Sequence, residues 1–234
     1  MMHTRPVLEA FLKGRFSLFL STMVAMFFIM PLAGDNRVLV DQVLGWLGIV
    51  VLLSCLRAVS NTRKFFVGMT LLTLVNMVLS GVELVNTGET NGFLLAVVGF
   101  KVIYFVLVFF SIMRFVLMND AVTGDKIYGA VSAYFLMGVI WSFVYTGFFI
   151  HNPVSFNVPE AWLSYSSVNS FWAVYFSFTT LTTLGYGDIT PQTPLAQSYA
   201  MMEAVIGQVF LAVIVARLIA LHISHERTHV NEPE

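Results

Sequence analysis

The chain has 234 residues, 58% hydrophobic and 11% charged, with a formal net charge of −1 and a mean hydropathy of +0.82. Soluble domains carry about a quarter charged residues, so the composition excludes an ordinary water-soluble domain and reads as an integral membrane protein. A single cysteine, Cys55, lies in an apolar run, which excludes a disulfide framework and leaves Cys55 as a packing residue.

A bilayer core of about 30 Å asks for about 20 mostly apolar residues per helix. Six stretches meet this requirement: 16–33, 38–58, 65–85, 93–118, 127–150 and 195–222. The first follows Arg5, Lys13 and Arg15 as a signal peptide would, but its length and the missing A-x-A site favour a span. Turn formers such as "GDN", "SNTRK", "NTGETN" and "NDAVTGD" separate the first five stretches. The fourth encloses Lys101. A buried ammonium must be paired or hydrated, and Glu83 and Asp41, toward the outer ends of the third and second stretches, are the expected partners. In the linker before the fifth stretch, Thr123 or Asp125 is expected near a helix start.

Basic residues accumulate in cytoplasmic loops. With the N-terminus inside, Arg5, Lys13, Arg15, Arg57, Arg63, Lys64, Arg114, Lys126, Arg217 and Arg227 fall at cytoplasmic ends, Arg37 lies outside and Lys101 lies within a span. This predicts cytoplasmic termini and an external loop over 151–194, which contains no lysine or arginine.

Within that loop, "NSFWAVYFSFTTL" is helix-compatible, with Asn169 or Ser170 as a cap, but its thirteen residues reach only about 20 Å. A short apolar helix followed by glycine-punctuated backbone predicts a re-entrant hairpin. Such backbone is tolerated at membrane depth only when buried in protein or lining a water-filled path. In "TTLTTLGYGD" the carbonyls of Thr183, Leu184, Gly185 and Tyr186, with the Thr183 hydroxyl, can replace the water around a cation. Gly185 and Gly187 permit the positive φ that same-facing carbonyls demand. One chain supplies one oxygen per ring, so four chains are expected around an axis. The side chains of Leu184 and Tyr186 are expected to pack away from that axis, against Trp172, Tyr175, Phe176 and Phe178.

"TLGYGD" resembles the selectivity filter of potassium channels. "FWAVYFSFTTLTTLGYGDITP" and "GQVFLAVIVARL" resemble the pore loop and inner helix of bacterial channels with the two-transmembrane pore, with 127–150 as the outer helix. The resemblance implies an all-α membrane protein of six transmembrane helices plus a re-entrant pore helix and filter, assembled as a homotetramer in the plasma (inner) membrane. It implies passive K+ conduction without enzymatic chemistry, cofactor or nucleic acid. K+ would be held by backbone carbonyls of Thr183, Leu184, Gly185, Tyr186 and Gly187, with Asp188 at the external mouth and Trp172, Tyr175, Thr179, Thr180 and Glu203 supporting the filter. The chain then divides into an N-terminal segment 1–15, a bundle 16–118, a linker 119–126, a pore domain 127–222 (pore helix 169–181, filter 183–188, inner helix 195–222) and a tail 223–234. Two departures from the family pattern stand out: Leu184 replaces the common valine, and Thr179 stands where some members carry a glutamate.

The bundle occupies the place of a voltage sensor. Moving one charge through 100 mV yields only about 2.3 kcal/mol, and steep gating draws on several charges per subunit. The fourth stretch has only Lys101 and, near its cytoplasmic end, Arg114, so weak or absent voltage dependence is expected. In the sixth, Gly207 is either a bending point or a close-packing site, and Gly207, Gln208, Leu211 and Val215 are the cavity and gate candidates. Glu203 is expected to reach a hydroxyl of Thr179 or Thr180. Twelve residues follow the last stretch, giving the expectation of a frayed tail with His222, His225, Glu226 and His229 and no appended regulatory domain. Competing readings are a secondary transporter, against which the single re-entrant segment and the lack of internal repeats argue, and a non-conducting partner subunit.

Overall fold

The computed structural model describes residues 16–32, 63–85, 91–118, 122–160 and 171–230. The expected second span, with Asp41 and Cys55, and the caps Asn169 and Ser170 lie outside the described residues. Among the described residues the helices run in chain order as α1 (Ser17–Leu32), α2 (Arg63–Val85), α3 (Asn91–Val116), α4 (Gly124–His151), α5 (Phe171–Leu181) and α6 (Pro194–Val230). Among the described residues, α3, α4 and the Pro194–Leu221 part of α6 are long and apolar enough to cross a membrane, while Val67–Val82 within α2 and all of α5 are shorter apolar helices.

Helix α4 is the hub, packing on α1, α3, α5 and α6. On α3 the buried positions Val97, Val98, Lys101, Tyr104, Phe105, Val108, Ile112 and Val116 recur every three or four residues, one stripe of a 3.6-residue helix. That stripe joins Phe16, just before α1, Phe19 and Met23 of α1 and Ala130, Ala133, Leu136 and Val139 of α4 in one core. The opposite face of α3 exposes Ile103, Leu107 and Phe110, side chains suited to lipid. Thr123 is the N-cap of α4 but makes no capping bond with its side chain. Asp125 in the first turn accepts instead from the Phe16 amide, 3.4 Å away, tying the starts of α1 and α4 together.

Lys101 is buried on the stripe facing α4, and its ammonium lies 5.6 Å from the centre of the Phe143 ring, a cation–π geometry. The helical register of α3 thus brings Lys101 against α4, while the expected partners belong to the second and third spans. Asp41 and the side chain of Glu83 lie outside the described residues. Arg114 is exposed in the last turn of α3.

Beyond α4, a single 3-10 turn (Pro153–Ser155) leads into β1 (Phe156–Asn157), which pairs antiparallel with β2 (Thr190–Pro191). The Gln192 amide donates to the Ser155 carbonyl at 2.8 Å and extends this clasp. It joins the end of α4 to the segment entering α6. Finally, α6 continues as helix to Val230, which corrects the frayed tail expected from 223. Alanine, leucine and arginine in "ARLIALHISHER" are good helix formers, and no glycine or proline interrupts the run.

Candidate functional site

The site is built on α5. Its buried positions are Trp172, Ala173, Phe176, Ser177, Thr179 and Leu181, and the helix packs on both α4 and α6. Tyr145 of α4 meets Phe176 edge-on at 5.0 Å and Phe156 at 5.5 Å. Trp172 packs on Phe149 at 5.1 Å and Phe156 at 5.3 Å. Within one chain, Trp172 therefore supports α5 through Phe149 and Phe156.

The last four carbonyls of a helix have no partner within it, and here all four find one. Phe178 accepts from the Thr182 amide (3.1 Å) and hydroxyl (2.7 Å), Thr179 from the Gly185 amide (3.1 Å) and Thr180 from the Thr183 amide (2.9 Å). Leu181 accepts from the Tyr134 hydroxyl at 3.3 Å, and the Gln208 amide lies 3.5 Å away. Thus the strand after α5 doubles back onto the helix end, which is braced from α4 and α6.

Beyond that end the backbone alternates. Thr183 has φ 60, Gly185 φ 53 and Gly187 φ 81, while Leu184 and Tyr186 have none of this left-handed character. The two glycines match the expectation. Thr183 was not anticipated, since a β-branched residue at positive φ is an outlier costing about 1–3 kcal/mol. Its bond to Thr180 and that of Gly185 to Thr179 hold it there. Residues 182–188 are all exposed on the single chain, Leu184 at 55% and Tyr186 at 68%. Leu184 thus lacks the packing expected for it within one subunit. Tyr186 stacks on Tyr175, 6.4 Å between ring centres and 7° between planes, and the Tyr175 hydroxyl donates to Asp188 Oδ2 at 2.7 Å. Tyr175 therefore holds the outer end of the segment through two successive contacts.

Glu203 on α6 is fully buried. The Tyr145 hydroxyl donates to its Oε2 at 2.5 Å, and its Oε1 lies 2.5 Å from the hydroxyl of Ser177, which also sits 2.7 Å from the Gly138 carbonyl. This corrects the expected bond to Thr179 or Thr180. Thr179 is buried, but its hydroxyl donates to the Phe176 carbonyl at 3.0 Å, and Thr180 is half-buried. Neither Ser177 nor Tyr145 stood out in sequence; the signal available was Ser177 lying one helical turn from the buried Ala173 and Leu181.

Two glycines set the depth of α5. A Cβ on Gly207 would stand 2.7 Å from both the Leu181 carbonyl oxygen and its Cδ1, and one on Gly138 would stand 2.7 Å from the Phe178 ring. Gly207 is thus a close-packing site, the second of its two sequence readings. Gln208 points toward the end of α5, and Leu211 and Val215 are exposed on the single chain.

Residues 133–223 match the family model described as ion channel. The match runs from within α4 through α5 and most of α6, the elements that build this site. It points to passive ion conduction by a membrane protein rather than to an enzyme. No curated protein and no solved structure matches the chain.

Proposed function

We propose that the protein is a potassium-selective channel in which four copies surround a pore lined by Thr183, Leu184, Gly185, Tyr186 and Gly187. The observation carrying this reading is the recurrence of positive φ at every second residue of Thr183–Gly187. Alternating left- and right-handed residues turn successive carbonyls to one side, and a row of such oxygens replaces the hydration shell of a potassium ion. The segment hangs from the end of a short helix, so its backbone stays at membrane depth only if protein covers it. In one chain, residues 182–188 are exposed and only 11% of the apolar window of α6 is buried. Four copies around an axis supply that cover and complete each oxygen ring.

Asp188 then marks the external mouth, and Leu211 and Val215 on the open face of α6 face the cavity. With only Lys101 and Arg114 on α3, and Lys101 buried against Phe143, the bundle carries too little mobile charge for steep voltage gating. The orientation that best fits the basic residues keeps both termini cytoplasmic in the plasma membrane. The test is flux in liposomes. Potassium-driven flux should be passive, exclude sodium, be blocked by barium and vanish in Gly185→Ala, whose Cβ is strained at φ 53. Obligatory counter-transport at fixed stoichiometry would overturn the reading in favour of a transporter.

A further inference from the structure

Four oxygens from three helices form a row behind α5: the Tyr145 hydroxyl, the two carboxyl oxygens of Glu203, and the Ser177 hydroxyl, which abuts the Gly138 carbonyl. The row contains three contacts between separate groups, at 2.5, 2.5 and 2.7 Å. Each needs one proton between its oxygens. The Tyr145 and Ser177 hydroxyls bring one each, so two protons serve three contacts. A carbonyl only accepts, so the Ser177 proton points at Gly138. The contact between Ser177 Oγ and Glu203 Oε1 is then two oxygens 2.5 Å apart with no proton from either hydroxyl.

We infer that Glu203 is a neutral carboxylic acid that donates from Oε1 to Ser177. The direction of every bond follows: Tyr145 donates to Glu203, Glu203 to Ser177 and Ser177 to Gly138. The chain of donors crosses α4, α6 and α5 and returns to the α4 backbone. Glu203 and Ser177 are fully buried, as is Tyr145, and a neutral, fully bonded network costs far less there than an ionised carboxylate. Among the described residues, the titratable groups facing Glu203 are the phenols of Tyr145 and Tyr134 on α4; α5 offers Ser177, and no cation faces it.

Two consequences bear on the pore. Glu203 is a positioning residue that fixes the middle of α5 against α4 and α6, and it places no negative charge behind the row of carbonyls. Loss of its proton would force Ser177 to abandon either Gly138 or the carboxylate, loosening α5 at the turn that precedes the TLGYG segment.

Infrared spectroscopy of the full-length protein in lipid bilayers tests this directly. At neutral pH, the carbonyl stretch of a hydrogen-bonded, protonated carboxylic acid is expected, shifting in heavy water and absent in Glu203→Gln. Ser177→Ala should raise its frequency by removing the acceptor of the acid, and Tyr145→Phe by removing the donor to its carbonyl. These two variants keep the assignment testable if Glu203→Gln does not assemble. A carboxylate band from Glu203 at neutral pH, or an acid band unmoved by Ser177→Ala, overturns the inference. The flux arm rests on the proposed conduction, whereas the infrared arm does not, so the two can fail separately. Glutamine donates and accepts at the same two positions, so Glu203→Gln should retain on the order of tenfold more flux than Glu203→Ala, which orphans both hydroxyls. Equal losses in the two variants would also overturn the inference.

Discussion

Glycines on the helices of the bundle and the two that flank α5 stand in opposite surroundings. A Cβ added at Gly68 or Gly81 of α2, or at Gly99 of α3, meets nothing within 4 Å, whereas at Gly138 of α4 or Gly207 of α6 it lands 2.7 Å from a neighbour. Among its described residues the bundle is held by the apolar stripe of α3, with the Thr73 and Tyr104 hydroxyls 3.0 Å apart beside it. The pore half is held by contacts at fixed distances: close-packed glycines, four satisfied helix-end carbonyls and the row of oxygens around Glu203. The difference teaches that close, directional contacts concentrate where the proposed channel needs its backbone oxygens held in register.

Gly→Ala exchanges in the two halves sharpen this contrast. The largest effect is expected at Gly207→Ala, where the new methyl meets the backbone oxygen of Leu181, which cannot swing aside. A cost of about 3 kcal/mol is expected, read as a lower unfolding temperature of the detergent-solubilised protein and loss of flux. Gly138→Ala comes next, because the Phe178 ring it meets can rotate; about 1–2 kcal/mol is expected, with flux reduced rather than lost. Lys101→Met removes the contact with the Phe143 ring, a cost of about 1 kcal/mol from that contact alone. It should also leave the voltage dependence of current as shallow as before, and a steepened or abolished voltage response would break the assignment of α3. The smallest effect is expected at Gly68→Ala, neutral or stabilising by up to about 1 kcal/mol through helix propensity. If it were as damaging as Gly207→Ala, the bundle would be as tightly registered as the pore.

The two halves are also joined where sequence gave no hint. The Nη2 of Arg217 on α6 donates to the Leu117 carbonyl at 2.6 Å, and the Nζ of buried Lys126 on α4 donates to the Met118 carbonyl at 2.9 Å. Both cations sit on carbonyls just past the end of α3, where a helix carries partial negative charge. In sequence they read only as cytoplasmic basic residues, because the positive-inside pattern reports sidedness and not partners.

Much of the architecture was legible from hydropathy alone. The expected stretches 65–85, 93–118 and 127–150 fall within two or three residues of α2, α3 and α4, because apolar length and turn formers are local properties. The TLGYG motif was legible for a similar reason: glycine spacing reports backbone conformation directly. Other features depended on which helix faces which. Glu203 was visible as an acid within a span, but its partners Ser177 and Tyr145 lie 26 and 58 residues away. The orientation of Lys101 toward Phe143 was hidden for the same reason. So was the clasp of β1 with β2, two residues on each side and too short to carry an alternating pattern.

By itself, then, the sequence determined the membrane-suited apolar character of the chain, the helical segments 65–85, 93–118 and 127–150, and the glycine spacing of the TLGYG segment, since each follows from composition or from neighbours along the chain. Tertiary structure alone decided that Gly207 is a close contact with the end of α5, that Thr183 joins the glycines at positive φ, and that Glu203 ties three helices together. Those outcomes depend on distances between elements remote in sequence, which packing against α4 sets and local propensity does not encode.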